Sequence, residues 1–395
     1  MFKTKRSVPF LLALVLLAAC QTPAVKPIVT PVATAIEKKP ASFKLLDYSA
    51  LPGWSQDNLV ELWPAFRASC SAMINKPDWH ELCTIAQGVD GTNSPDIHRF
   101  FEAFFSPYQV INPDGTESGL ITGYYEPLLH GARQRGGAFQ VPIYQPPADL
   151  LTIDMTSVYP ELKGMRLRGR VVGNKVLPYP NRGDLLQSNL LAGNEICWVD
   201  DSVDAFFLQV QGSGRVQLAD SREVIRVAYA DQNGQPYKSI GRYLVDIGEL
   251  KLEQASAQGI KNWIAAHPGR ENEVLNANPS FVFFKEEKLT DPNQGPNGTL
   301  GVALTEKRSI AIDAKFLPLG APVFINTTQP NSDVPLKRLM MAQDTGGAIR
   351  GAVRADFFWG FGAPAGEMAG RMKQRGMLWV LWPRTASTPL GAIIN

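Results

Sequence analysis

The stretch from Leu339 to Gly362, LMMAQDTGGAIRGAVRADFFWGFG, decides how this chain is read. Leu339 to Ala342 is an apolar run long enough for a short buried strand, and Asp344 follows at its end. Gly346 and Gly347 then let the backbone turn without steric cost. A second strand-like run begins near Ala352. Side chains alternate across a strand, so Arg354, Asp356 and Phe358 share one face, while Val353, Ala355, Phe357 and Trp359 share the other. The apolar set faces a core, which presents Asp356 on the opposite face beside Arg354 and among aromatics. Two carboxylates on adjacent strand ends fit an acid/base pair. Two ordinary turn or cap aspartates fit the same letters, because Asp is common in turns. The run alone leaves both readings open.

Working outward, 395 residues allow two or three domains. The 39 basic and 37 acidic residues nearly cancel, so no nucleic-acid partner is expected. Thirty prolines and 34 glycines point to a loop-rich, β-heavy protein rather than a helix bundle.

The N-terminus reads as a targeting segment. Lys3, Lys5 and Arg6 precede the apolar run Val8 to Ala19, which is short for a transmembrane helix. Leu17-Ala18-Ala19-Cys20 resembles a bacterial lipobox, which implies a signal peptide over 1–19 and a lipidated Cys20. Gln21 after the cysteine, by resemblance to Gram-negative lipoproteins, implies the outer membrane facing the periplasm. Several acyl chains anchor stably where one does not. Residues 20–43, with Pro23, Pro27, Pro31 and Pro40, read as a tether. In an oxidising compartment Cys70 and Cys83 are expected to pair, and Cys197, within an apolar run, reads as a buried thiol. No Cys/His spacing points to a metal, and no cofactor is implied.

Residues 58–74, 79–85 and the stretch after Ser94-Pro95 carry helical apolar spacing. Ile121-Thr122-Gly123-Tyr124-Tyr125-Glu126-Pro127 is a strand ending at a proline, with Thr122, Tyr124 and Glu126 as candidate glycan contacts. Residues 128–277 read as short strands, including one over 205–210. That reading puts Gln209, Gln211 and Ser213 on one polar face suited to a hydroxyl-rich ligand. Asp200, Asp201 and Asp204 form a rival carboxylate cluster whose spacing better suits a turn and an N-cap. Strands return near 281, 308 and 322, and Asp313 precedes a Pro/Gly turn.

Asp313, Asp344 and Asp356, in the settings AIDAKFLPLG, MAQDTGGAIRG and RADFFWG, closely resemble the three-aspartate domain, a double-psi β-barrel. With TGYYEP at 122–127, FFLQVQGSGRV at 206–216 and the lipobox, the chain resembles the membrane-bound lytic murein transglycosylase A family over about residues 45–385. The resemblance implies an α+β chain with a six-stranded double-psi barrel and an inserted smaller β domain. The barrel and its helices would take 44–125 and 281–395, and the insert 126–280, with a glycan groove between them. It implies a peptidoglycan lytic exotransglycosylase that leaves 1,6-anhydroMurNAc ends. Asp356 would be the catalytic acid, with Asp344 and Asp313 positioning or tuning it. Substrate contacts would come from Thr122, Tyr124, Glu126, Gln209, Gln211, Ser213 and Arg354. Peptidoglycan strands are the implied partner, with other wall enzymes as candidates.

Two rival readings remain at this level. Asp344-Thr345-Gly346 matches the aspartic-protease triplet, but such enzymes need two and the chain has one. A wall-binding lipoprotein without catalysis would keep the aromatics and amides yet tolerate loss of Asp356.

Overall fold

The structure is a computed structural model describing residues 41–289 and 291–387 and the backbone of Ala392–Ile393. The leader, Cys20 and most of the tether lie outside the described residues. The folded body begins earlier than the tether reading implied: Ser42–Leu45 forms a strand, and Ala41 and Phe43 are buried.

Six strands close a barrel. In ring order they are Pro322–Thr328, Pro335–Thr345, Ser309–Ile312, Arg354–Phe361, Gly119–Glu126 and Lys373–Pro383, the last pairing back onto the first. Two of the pairings are parallel, Ser309–Ile312 with Pro335–Thr345 and Arg354–Phe361 with Gly119–Glu126. This is the closed six-strand barrel that the three-aspartate resemblance implies. Closure removes the exposed sheet edges that an open sheet would leave. Phe105–Ile111, Ser42–Leu45 and Ala392–Ile393 extend the sheet beyond the ring.

The barrel strands are buried on both faces, which explains the unbroken apolar letters at 339–342. Met340 and Ala342 point into the barrel with Val323, Ile325, Ala355, Phe357 and Trp359. Leu339 and Met341 point outward beneath the N-terminal helices, with Phe324 and Trp379. Those helices are Trp63–Met73, Pro77–Ile85 and Ser94–Phe104. Each has proline in its first turn, where a missing N–H costs nothing. Pro64 thus helps set the first helix to start at Trp63 rather than near Asn58. The Cys70–Cys83 disulfide joins the first two helices, with Cα atoms 5.3 Å apart, and Cys197 is a free thiol in the second sheet.

The second sheet runs Val282–Lys288, Val224–Gln232, Ser213–Leu218, Leu128–Ala132, Glu195–Val199 and Val141–Tyr144. Val282–Lys288 belongs here through its pairing with Val224–Gln232, so the expected boundary at 281 falls too early. A three-stranded sheet, Leu151–Thr152, Arg168–Val172 and Lys175–Pro178, stands beside it.

The strand expected over 205–210 is a helix, Ser202–Gln211. Asp201 caps it by accepting from the amides of Val203 and Asp204, at 2.8 Å each. Gly212, at φ 83°, ends it in the left-handed region that glycine tolerates best. Val203 and Phe206, like Ala205 and Leu208, are buried three residues apart, and that helical packing overrides the alternation seen in the letters. The rival Asp cluster is therefore a cap and its neighbours.

Candidate active site

The barrel register builds the site. Ala311 lies opposite Asp344 on one neighbouring strand and Asp356 on the other, and Asp356 lies opposite Thr122 on the next. Asp344, Ala311, Asp356 and Thr122 thus form one row across four strands. Neighbouring strands lie about 4.8 Å apart, so the two carboxyls hang from backbones roughly 10 Å apart with only a methyl between them.

Residues two along the same strands share this face. Tyr124 and Phe358 meet there with ring centroids 5.2 Å apart. Together with Leu304, Ala311 and Ile349 they form a small apolar cluster on the outer side of the barrel wall. The face division read from the sequence holds: Asp356 and Phe358 share this cluster's side while Ala355, Phe357 and Trp359 fill the barrel.

This collar desolvates both carboxyls. Burial raises the pKa of Asp356 most strongly, the Thr122 hydroxyl and then Arg354 oppose it, and the charge of Asp344 adds to the rise. The net direction is upward. Thr122 Oγ1 donates to Asp356 Oδ1 at 2.5 Å. Asp344 is also raised, by burial, against the bonds it accepts. Its Oδ1 takes the Thr299 amide and hydroxyl, both at 2.9 Å, and its Oδ2 takes the Tyr124 hydroxyl at 3.2 Å.

Beside this row lies a cleft of about 350 Å³. Tyr124, Thr299, Asp344 and Phe358 line it from the barrel side, and Arg166, Gln211, Ser213 and Tyr229 from the second sheet and its neighbours. Gln211 also accepts from the Tyr125 amide at 3.1 Å, which ties the end of its helix to the barrel strand.

Three expected site residues sit elsewhere, and a fourth, Arg354, stays beside Asp356 but spends its donors on backbone carbonyls. Glu126 is 1% exposed and held by Arg215 and Arg226, so it is no glycan-facing group. Gln209 faces inward, accepting from Arg182 at 2.7 Å and from the Val282 amide at 3.2 Å; on a helix it cannot share a face with Gln211. Asp313 is buried. It accepts from the amides of Lys315 at 3.1 Å and Gly351 at 2.9 Å, which fixes the loop between the two aspartate strands. Arg354 donates to the carbonyls of Leu120 and Ala355 while half-buried. Thr299 was not legible as functional: NQGPNGTL announces a loop, and nothing local reveals an aspartate 45 residues away.

Two family profiles match the chain, the MltA specific insert domain over residues 120–285 and the 3D domain over 308–382. Membrane-bound lytic murein transglycosylase A of Escherichia coli K12 is 33% identical over 281 residues, covering 69% of this chain and 68% of that protein. The crystal structure of MltA from Neisseria gonorrhoeae superposes with a TM-score of 0.77 at 37% identity, over 88% of this chain and 94% of that one. E. coli MltA with bound chitohexaose superposes with a TM-score of 0.64 at 27% identity, over 87% and 94%.

A closed barrel with a half-buried carboxyl row beside a cleft, and a second sheet across that cleft, define a glycan-cleaving enzyme built on the three-aspartate barrel. The chain belongs to the membrane-bound lytic murein transglycosylase A family.

Proposed function

We propose that Asp356 serves as both acid and base when this peptidoglycan-cleaving lytic transglycosylase cuts the β-1,4 bond between MurNAc and GlcNAc. The observation that carries this reading is the setting of the Asp356 carboxyl, beside the Tyr124–Phe358 collar and contacted by a neutral hydroxyl, in which desolvation raises its pKa. A carboxyl raised in this way still holds a proton to donate where an ordinary aspartate does not. Asp356 protonates the glycosidic oxygen as the C1–O4 bond breaks and GlcNAc leaves. The resulting carboxylate removes the proton from the MurNAc C6 hydroxyl, whose oxygen closes onto C1. Water does not enter, and the product ends in 1,6-anhydroMurNAc. Asp344 tunes the acid through its charge, and Asp313 holds the intervening loop.

The glycan strand lies in the cleft, against Tyr124, Gln211 and Ser213, with Thr122 acting through Asp356. A barrel body and an insert body hold that groove between them. Lipidated Cys20 anchors the protein to the outer membrane facing the periplasm, where other wall enzymes are candidate partners. No helix among the described residues is long and apolar enough to cross a membrane. Mass spectrometry of products from purified murein tests the chemistry. Anhydro ends are expected, and each lies one water below the reducing end that a hydrolase leaves. Reducing ends alone would overturn the proposal.

A further inference from the structure

The chain crosses between barrel and second sheet twice. It leaves the barrel at Glu126-Pro127 and returns through a segment that includes residues 291–308. One buried cluster joins both crossings. Glu126 accepts from Arg215 Nε at 2.8 Å and from Arg226 Nε at 2.6 Å, and both arginines stand on strands of the second sheet. Their remaining donors reach the return segment: Arg215 Nη1 binds the Pro292 carbonyl at 2.7 Å, and Arg226 Nη2 binds the Gln294 carbonyl. The arginines are 4% and 5% exposed, so one carboxylate and these carbonyls are the groups that satisfy two desolvated cations.

Five residues beyond Gln294, the same segment reaches the reacting row. The Leu300 amide donates to the Gln343 carbonyl at 2.9 Å, and Thr299 gives both its donors to Asp344. The path between is tightly seated. A Cβ on Gly295 would lie 2.2 Å from the Leu304 carbonyl oxygen, and one on Gly298 would lie 2.5 Å from that of Gln343.

We infer that Glu126, with Arg215 and Arg226, is a positioning device for the reaction. It clamps the return segment at Pro292–Gln294 and so sets Thr299 against Asp344. Glu126 touches no substrate in this role. The inference rests on the reading that the Asp344–Asp356 row carries the chemistry.

Glu126→Gln removes the charge between the two arginines, and Arg215→Met removes the Pro292 contact while leaving Glu126 paired with Arg226. Three measurements on the full chain test the clamp, all well below the melting temperature. Hydrogen exchange comes first and is independent of any chemical assignment. Amides of residues 293–301 should exchange at least tenfold faster in either variant, while barrel amides of Ser309–Ile312 stay protected. The kcat on murein should fall about tenfold or more in Glu126→Gln. The double variant with Thr299→Val should lose no more activity than the worse single one, because both act along one path. Unchanged exchange in 293–301, unchanged kcat, or multiplicative losses in the double variant would each overturn the clamp. If Glu126→Gln fails to fold, Arg215→Met decides the same points. Loss of Asp356 as the acid would show separately, as activity surviving in Asp356→Asn, and would leave the exchange result standing.

Discussion

This protein encloses carboxylates in two ways. Asp57 and Glu126 are enclosed with arginines: Asp57 takes Arg308 Nη2 at 2.8 Å, and Glu126 takes two guanidinium groups. Asp344 and Asp356 are enclosed with hydroxyls, an amide and aromatic rings, and the half-buried Arg354 is the arginine near enough to bias Asp356. A guanidinium is always charged and grips its carboxylate through a rigid fork of donors. A hydroxyl satisfies an oxygen yet leaves the proton to come and go. The first kind of site, fully buried, ties distant segments together, and the second, half-buried beside the cleft, keeps an acid available.

The comparison breaks first at Asp356→Asn. The amide still accepts from Thr122 and keeps the shape but cannot donate a proton as an acid. We expect kcat to fall about 10²–10⁴-fold, with glycan binding retained in a pull-down on insoluble murein. Melting should rise at neutral pH. A carboxyl whose pKa is raised by folding contributes stability below its unfolded pKa and loses it as pH rises through the folded value. Removing the carboxyl removes that loss. An active Asp356→Asn would mean the row uses a different acid.

Asp57→Ala tests the other class. It strands Arg308, 1% exposed, with Glu61 and carbonyls as its remaining partners, and frees the Leu339 amide. We expect a loss of ~3 kcal/mol in denaturant unfolding, with kcat on murein close to wild type. Adding Arg308→Met should recover part of that loss. No recovery would mean that the charge pair, and not the stranded cation, sets the cost.

Which parts of this contrast were legible in the sequence follows from distance along the chain. The three aspartates, the face division around Asp356 and the Cys70–Cys83 pair depend on local patterning or a recognisable motif. The roles of Glu126 and Arg308 depend on partners 89–251 residues away, and no local spacing records them. Gln209 departs from its expected face for a different reason. Its helix carries apolar residues that satisfy strand alternation and helical spacing alike, and only the Asp201 cap and Gly212 terminator separate the two.

A smaller effect is expected from Thr122→Val. The hydroxyl is the strongest influence holding the Asp356 pKa down against burial, so its loss should raise that pKa further. The alkaline limb of the kcat profile should move to higher pH, with kcat itself changed by about tenfold or less, the scale of one hydrogen bond. A limb moving to lower pH would show that Thr122 acts on something other than the proton of Asp356.

The smallest shift belongs to Asp344→Asn, because the charge of Asp344 is the weakest of the influences on Asp356. Its sign is opposite to that of Thr122→Val. A negative neighbour favours the protonated form, so removing it lowers the pKa of Asp356. The enzyme needs that group protonated to begin, so the alkaline limb should move down in pH. Asn keeps an oxygen for the two Thr299 donors but offers one acceptor fewer, so the Tyr124 hydroxyl loses its partner. Tyr124→Phe separates the two consequences, since it removes the same hydrogen bond and leaves the charge. A downward limb in Asp344→Asn and not in Tyr124→Phe assigns the effect to charge. The same downward limb in both would assign it to the hydrogen bond, and the two carboxyls would then be neighbours without electrostatic coupling.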